Sequence, residues 1–235
     1  MSKYAHATIS DSNVKMGETP SYSLPPIVTC PKGVPCTRDC YATQGTFQFD
    51  AVQASYARNL YFLEKCPEVV QAEIEAYVTR KALEYFRWNV SGDFYSPEYF
   101  TLAVEVARAC PDTKFLAFTK QYAIVNAWLD HDSFPENFAV VFSYWEGYDC
   151  PNPHGLPTSI VIDEASALPQ GFTLCPGKCE ICQASKVGCW HAGKGEGVAF
   201  IKHGQRVHMD DAKIEANFLK FVAKLNKALD AYDLR

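Results

Sequence analysis

The sequence predicts an α/β protein: a partial (β/α)6 barrel-like parallel sheet with a C-terminal cysteine-rich metal module. Two observations carry the prediction. Short aromatic and β-branched runs alternate with longer segments whose apolar residues recur at helical spacing, the order expected of parallel βαβ units with short crossovers. Seven of the ten cysteines also fall into two tight groups, Cys30/Cys36/Cys40 and Cys175/Cys179/Cys182/Cys189.

Taken in order, "SLPPIVTC" (23–30) reads as a first strand, followed directly by the first cysteine loop. Phe49, Val52, Tyr56, Leu60 and Leu63 form a helical stripe. Pro67 breaks or restarts it, and Val70, Ile74, Tyr77 and Val78 carry it to about Leu83. "YFRWNVS" (85–91) is aromatic and β-branched, hence a second strand. Ser96 before Pro97 makes a helix start, with Ser96 as N-cap and Pro97 in the first helical position, and the helix stops at Pro111. "KFLAFT" (114–119) is a third strand, and Ile124, Val125, Trp128 and Leu129 a further helix face. "FAVVFSYW" (138–145), "TSIVID" (158–163) and "GVAFIKH" (197–203) complete six strands. The stripe Ile214, Phe218, Phe221, Val222, Leu225, Leu229 is a final amphipathic helix. The polar first twenty residues and the Gly-rich 191–198 read as loops.

The early strands are nearly continuous apolar runs, as strands covered on both faces should be. The second half has few helices between strands, so a closed barrel is not expected. The organisation divides into residues 1–165, a core carrying the first cysteine loop; 166–195, a cysteine-rich segment; and 196–235, the last strand and helix that complete the core.

Hydrophobic residues make up 48% of the 235-residue chain and charged ones 21%, enough apolar material for a packed core. The net charge is −5, so no global basic footprint indicates nucleic acid. The N-terminal segment lacks the apolar stretch of a signal peptide, and no apolar run reaches membrane-spanning length. A cytoplasmic protein with reduced thiols and no membrane partner is expected. NTPase, α/β-hydrolase and zinc-protease signatures are missing.

The chemistry lies in the cysteines. Cys30-x5-Cys36-x3-Cys40 sits on one irregular loop with Lys32 and Arg38, whose charges favour thiolate. Three thiolates leave one coordination position free, which favours an iron–sulfur cluster open to a ligand; zinc with a fourth ligand from elsewhere is the alternative. Cys175-x3-Cys179-x2-Cys182-x6-Cys189 is a complete ligand set, for a closed cluster or a zinc knot, with Trp190 and Ile181 as shielding and His191 as a substitute ligand. In a parallel sheet, functional groups gather at the C-terminal strand ends. Ser91-Gly92-Asp93, Thr119-Lys120, Ser143-Tyr144-Trp145 and His203 occupy such ends. His208, by contrast, reads as a surface or core histidine. The bland reading of Asp93 is a cap on the next turn; the functional one is a carboxylate that accepts hydrogen bonds from an ammonium group.

A three-cysteine loop after the first strand and a glycine–acid turn after the second resemble the radical S-adenosylmethionine (SAM) superfamily. The resemblance implies a radical-SAM-like fold with two 4Fe–4S clusters. One, at Cys30, Cys36 and Cys40, would have an open iron for SAM; the other, at Cys175, Cys179, Cys182 and Cys189, would be auxiliary. Ser91, Gly92, Asp93 and Tyr41 would then contact the cofactor, and Asp93 and Lys120 would serve catalysis. Electrons would come from a donor such as a ferredoxin or flavodoxin. A second resemblance spans most of the chain: "LPPIVTCPKGVPC", "FRWNVSGDFYS", "KFLAFTKQY", "FSYWEG" and "CPGKCEIC" are similar to the phage gene product 88 family. It implies a phage protein, in the cytoplasm of the host cell, and the cysteine arrangement. The competing function is non-catalytic: a zinc- or cluster-stapled phage protein that binds a host protein or nucleic acid.

Overall fold

The computed structural model describes residues 6–13, 15–37, 39–202 and 209–234. Eight strands form one sheet: β1 (Ile9–Ser10), β2 (Ser21–Tyr22), β3 (Tyr85–Trp88), β4 (Lys114–Thr119), β5 (Phe138–Ser143), β6 (Thr158–Ile162), β7 (Phe172–Leu174) and β8 (Gly197–Ile201). Their order is β1-β2-β3-β4-β5-β6-β8-β7. Every neighbouring pair is parallel except β1–β2. The architecture is therefore mixed α/β on a mostly parallel sheet, with β1 and β7 at its edges.

Helices α1 (Asp50–Lys65), α2 (Pro67–Lys81), α3 (Pro97–Ala109), α4 (Tyr122–Leu129) and α6 (Asp211–Asp230) join one face of the sheet in a single core. Phe86, Trp88, Phe115, Ala117, Phe138, Val140 and Phe142, the alternate residues of β3, β4 and β5, point into it. Pro67 restarts the helix, as its place at the first helical position allows, with Cys66 as the joint. The Ser96 hydroxyl accepts from the Tyr99 N–H at 3.2 Å, so the predicted cap holds.

The opposite residues, Leu116 and Val141 with Phe118, Ala139 and Phe200, face a second core containing Cys182, Cys189 and Trp190. The short helix α5 (Cys179–Ser185) lies in this cysteine-rich segment. The rings of Phe118 on β4 and Phe200 on β8 touch, with centroids 5.7 Å apart. Three strand spacings separate those strands, roughly 14 Å in a flat sheet. The sheet therefore curls, and this second face is its concave side.

Several boundaries differ from the sequence reading. The first parallel strand is Ser21–Tyr22, not 23–30, because Pro25 and Pro26 cannot donate to a ladder. The polar N-terminal segment is not all loop: Ile9–Ser10 pairs with β2. The second strand stops at Trp88, where Asn89 turns left-handed (φ 51°) and accepts the Tyr99 hydroxyl at 2.8 Å. β7 and α5 had no periodic signal. His203, His208 and Arg38 lie outside the described residues.

Candidate metal centre

The first cysteine loop hangs between β2 and α1, beside the C-terminal ends of β3 and β4. Its base is locked to the turn at Ser91–Asp93. The Leu24 N–H donates to the Ser91 carbonyl at 3.0 Å. The Thr29 hydroxyl donates to the Pro25 carbonyl at 2.6 Å and accepts from the Asp93 N–H at 3.2 Å. Gly92, at φ 77°, sits so close beneath that a Cβ would come within 2.6 Å of the Thr29 hydroxyl and 2.9 Å of the Leu24 carbonyl. At the loop's far end the Tyr41 hydroxyl donates to the Val90 carbonyl at 2.5 Å.

Asp93 is buried and ties three segments together. Its Oδ1 accepts from the Phe94 N–H at 2.8 Å and the Thr119 hydroxyl at 2.6 Å, while Oδ2 accepts from the Lys120 N–H at 2.8 Å. Burial still pushes its carboxyl above the usual range, against these three bonds. The carboxylate expected to await an ammonium group thus already caps its own turn and the end of β4. Lys120 extends its ammonium to the Ser143 hydroxyl at 2.6 Å, with the Trp145 ring centroid 5.9 Å away. The expected convergence of strand ends is realised for Ser91–Asp93, Thr119–Lys120 and Ser143.

Burial pushes the Cys30 and Cys36 thiols up, and the Asp93 charge adds to the effect at both. Lys120 opposes it at Cys36. Among the described residues, the cation felt at Cys36 is Lys120, distant in sequence. Cys30 also feels the charges of Cys36 and Cys40, so the three thiols form one electrostatic group with Asp93 and Lys120.

The four later cysteines gather over the concave face. Cys179, Cys182 and Cys189 are buried, and Cys175 packs against the same cluster. Cys182 and Cys189 share a hydrogen bond that holds the Cys182 thiol below its ordinary value and raises that of Cys189. Gly188, left-handed at φ 77°, leaves room for Cys182: a Cβ there would lie 2.9 Å from its sulfur. Trp190 closes the cluster edge-on against Tyr85, centroids 5.0 Å apart, whereas Ile181 is exposed and shields nothing. The Nε2 of His191 is buried without a hydrogen-bond partner among the described residues. No three His, Cys, Asp or Glu side chains among the described residues stand close enough to hold a single metal ion as they are.

The family model described as Gene product 88 matches residues 2–159. The chain belongs to the gene product 88 family. A curated relative, the Gene 88 protein of Mycobacterium phage L5, is 30% identical over 156 residues, covering 61% of this chain and 64% of that protein. The chain thus spans less than two thirds of that relative's length. No solved structure matches. The gene product 88 match takes in Cys30, Cys36, Cys40, Asp93 and Lys120 and ends before the cysteine quartet. No helix among the described residues is long and apolar enough to cross a membrane.

Two residues escaped the sequence reading. Thr29 is the hinge between cysteine loop and turn, and nothing in "IVTC" distinguishes it. Arg87 had a signal, a lone charge inside an aromatic strand, opposite in parity to Phe86 and Trp88; its guanidinium lies on the Phe118 ring, 4.3 Å from the centroid.

Proposed function

We propose that this protein carries two 4Fe–4S clusters and acts as a radical-SAM-like enzyme. Cys30, Cys36 and Cys40 would hold the first, with one iron open, and Cys175, Cys179, Cys182 and Cys189 an auxiliary second. The observation that carries the reading is the lock between the three-cysteine loop and the strand ends, made by Thr29, Gly92 and Asp93. It sets the loop that carries the three thiols, with the Lys120 charge felt at Cys36, at the edge where parallel sheets bind ligands. Seven neighbouring parallel strands, β2-β3-β4-β5-β6-β8-β7, curled about a concave face, support a partial-barrel layout of which a (β/α)6 unit would form the larger part. The donor sets fit as well. A single zinc ion draws sulfurs to about 2.3 Å from one centre, whereas a four-iron cubane spreads them over separate corners. Thiolate-only donor sets suit such a cluster.

When bound at these cysteines, such a cluster would supply one electron for a sulfonium cofactor such as SAM, taken from a donor of the ferredoxin or flavodoxin kind in the host cytoplasm. The chain's own residues hold the place. Gly92 lets Leu24 and Thr29 approach; Ser91 anchors Leu24 through its carbonyl; Tyr41 ties down the far end of the loop. Asp93 is a positioning residue, fixing Lys120 through its backbone N–H. Lys120 supplies positive charge beside Cys36 and a donor at the mouth.

A second reading, a metal-stapled phage protein that binds a host protein or nucleic acid, draws support from Asp93, whose oxygens are already engaged. Anaerobic purification followed by addition of SAM to the reduced protein separates the two. A changed electron paramagnetic resonance signal together with 5′-deoxyadenosine supports the enzyme. Iron and sulfide with neither response supports the second reading, as does zinc without sulfide.

A further inference from the structure

We propose that Arg87 and Lys15 form a positive cradle on the concave face that compensates the negative charge of a metal centre held by the four-cysteine group. This rests on the reading of those cysteines as metal ligands. Four thiolates around either a zinc ion or an oxidised 4Fe–4S core leave two net negative charges, which a half-buried site must balance. The balance is built from two cations lying on touching rings. The Arg87 guanidinium is 4.3 Å from the centroid of Phe118, the Lys15 ammonium 4.5 Å from that of Phe200, and the two rings meet at 5.7 Å.

Both cations are fixed toward the quartet. Lys15 sits in the turn closed by the Asn13–Gly17 bridge, and its carbonyl accepts the Cys179 N–H at 3.0 Å at the start of α5. Gln183 of α5 donates to the Thr19 hydroxyl at 2.9 Å, so this N-terminal segment is docked on the cysteine helix. Arg87 donates through Nε to the Trp88 carbonyl at 3.1 Å, which orients its fork. Tyr85, two residues earlier on the same face, meets Trp190. The Arg87 charge reaches Cys179 and Cys189, and that of Lys15 reaches Cys179 and Cys182.

Among the described residues, no carboxylate lies within ion-pair distance of either cation. The Glu180 carboxylate lies against Gly17 in the same turn as Lys15 but within ion-pair distance of neither cation, so it answers neither directly. The sulfurs of Cys179, Cys182 and Cys189 are the groups at which these charges are felt.

The test uses Cys36→Ala protein, so that only the quartet's centre remains, reconstituted anaerobically with iron and sulfide and, separately, with zinc. Arg87→Gln and Lys15→Gln should each move the cluster's midpoint potential to more negative values, because a nearby cation favours the reduced, more negative state. The pair should move it further, and Arg87→Lys should retain most of the original value. With zinc, chelator competition should show a loss of roughly ten- to hundredfold in affinity for the double variant, the range seen for residues that support metal ligands. If the double variant does not fold, the two single variants decide. Unchanged potential and unchanged zinc affinity at full metal content overturn the cradle while leaving the cluster reading intact. Uptake of zinc but no iron overturns the two-cluster reading while the cradle still stands or falls on affinity. Uptake of neither metal overturns both.

Discussion

Gly92→Ala tests the lock beneath the cysteine loop. The residue lies at φ 77°, where an L side chain carries about 1–2 kcal/mol of strain. An added Cβ would also sit 2.6 Å from the Thr29 hydroxyl, 2.8 Å from Leu24 Cβ and 2.9 Å from the Leu24 carbonyl. The first can rotate away, but the carbonyl belongs to Leu24, whose backbone is tied to the Ser91 carbonyl through its N–H, so overpacking adds roughly 1–3 kcal/mol. Alanine's smaller unfolded-state entropy returns about 0.4–1 kcal/mol. The net loss is about 1–4.5 kcal/mol, read by urea unfolding as a lower midpoint at unchanged slope. Gly147→Ala is the control: φ is again 77°, but nothing lies within 4 Å of its added Cβ, so strain alone acts and the loss is about 1 kcal/mol or less. Because the clash falls on Leu24 and Thr29, the loop's metal content should drop in Gly92→Ala and not in Gly147→Ala. Equal losses in the two variants would refute the close approach.

Other outcomes follow from the same geometry. Asp93→Asn replaces an acceptor by an amide with a donor facing Thr119 or Lys120, at about 1.5–3 kcal/mol for a hydrogen bond to a charged group. The folded carboxyl titrates above its ordinary value, so its contribution is greatest in acid and is lost as pH rises through the folded pKa. The wild type's advantage over Asp93→Asn in urea midpoint should therefore shrink with rising pH and then level, and an advantage that grows with pH would contradict the buried-carboxyl account. With their pKa values raised, the metal-free Cys30 and Cys36 thiols should alkylate slowly at pH 8, and Lys120→Met should slow Cys36 further; faster labelling in that variant would remove Lys120 from the site. Trp190→Ala should cost about 3–5 kcal/mol and release metal from the quartet while sparing the first loop, as measured by unfolding and metal content.

Much of the fold was legible because local physics dictates it. The runs at β4 and β5 are largely apolar on both faces, since one face meets the helices and the other the cysteine-rich segment. Pro67 and the Ser96–Pro97 pair marked helix starts that tertiary packing does not alter. The edges were less legible. β1, β2 and β7 are two or three residues long and owe their pairing to neighbours rather than to pattern. In the site, cysteine spacing announced the two groups, and strand-end logic placed Asp93 and Lys120 beside the first. What spacing could not convey was that Asp93 turns inward to bind its own backbone, or that Arg87 and Lys15, far apart in the chain, lie on touching rings over the quartet.

The most direct measurement is the content of iron, acid-labile sulfide and zinc in anaerobically purified protein and in its Cys36→Ala variant. Two four-iron clusters predict about eight iron and eight sulfide per chain, falling by about half in the variant while its fold persists. Zinc without sulfide, or iron that Cys36→Ala leaves undiminished, would contradict the assignment of the Cys30, Cys36 and Cys40 loop to an open cluster.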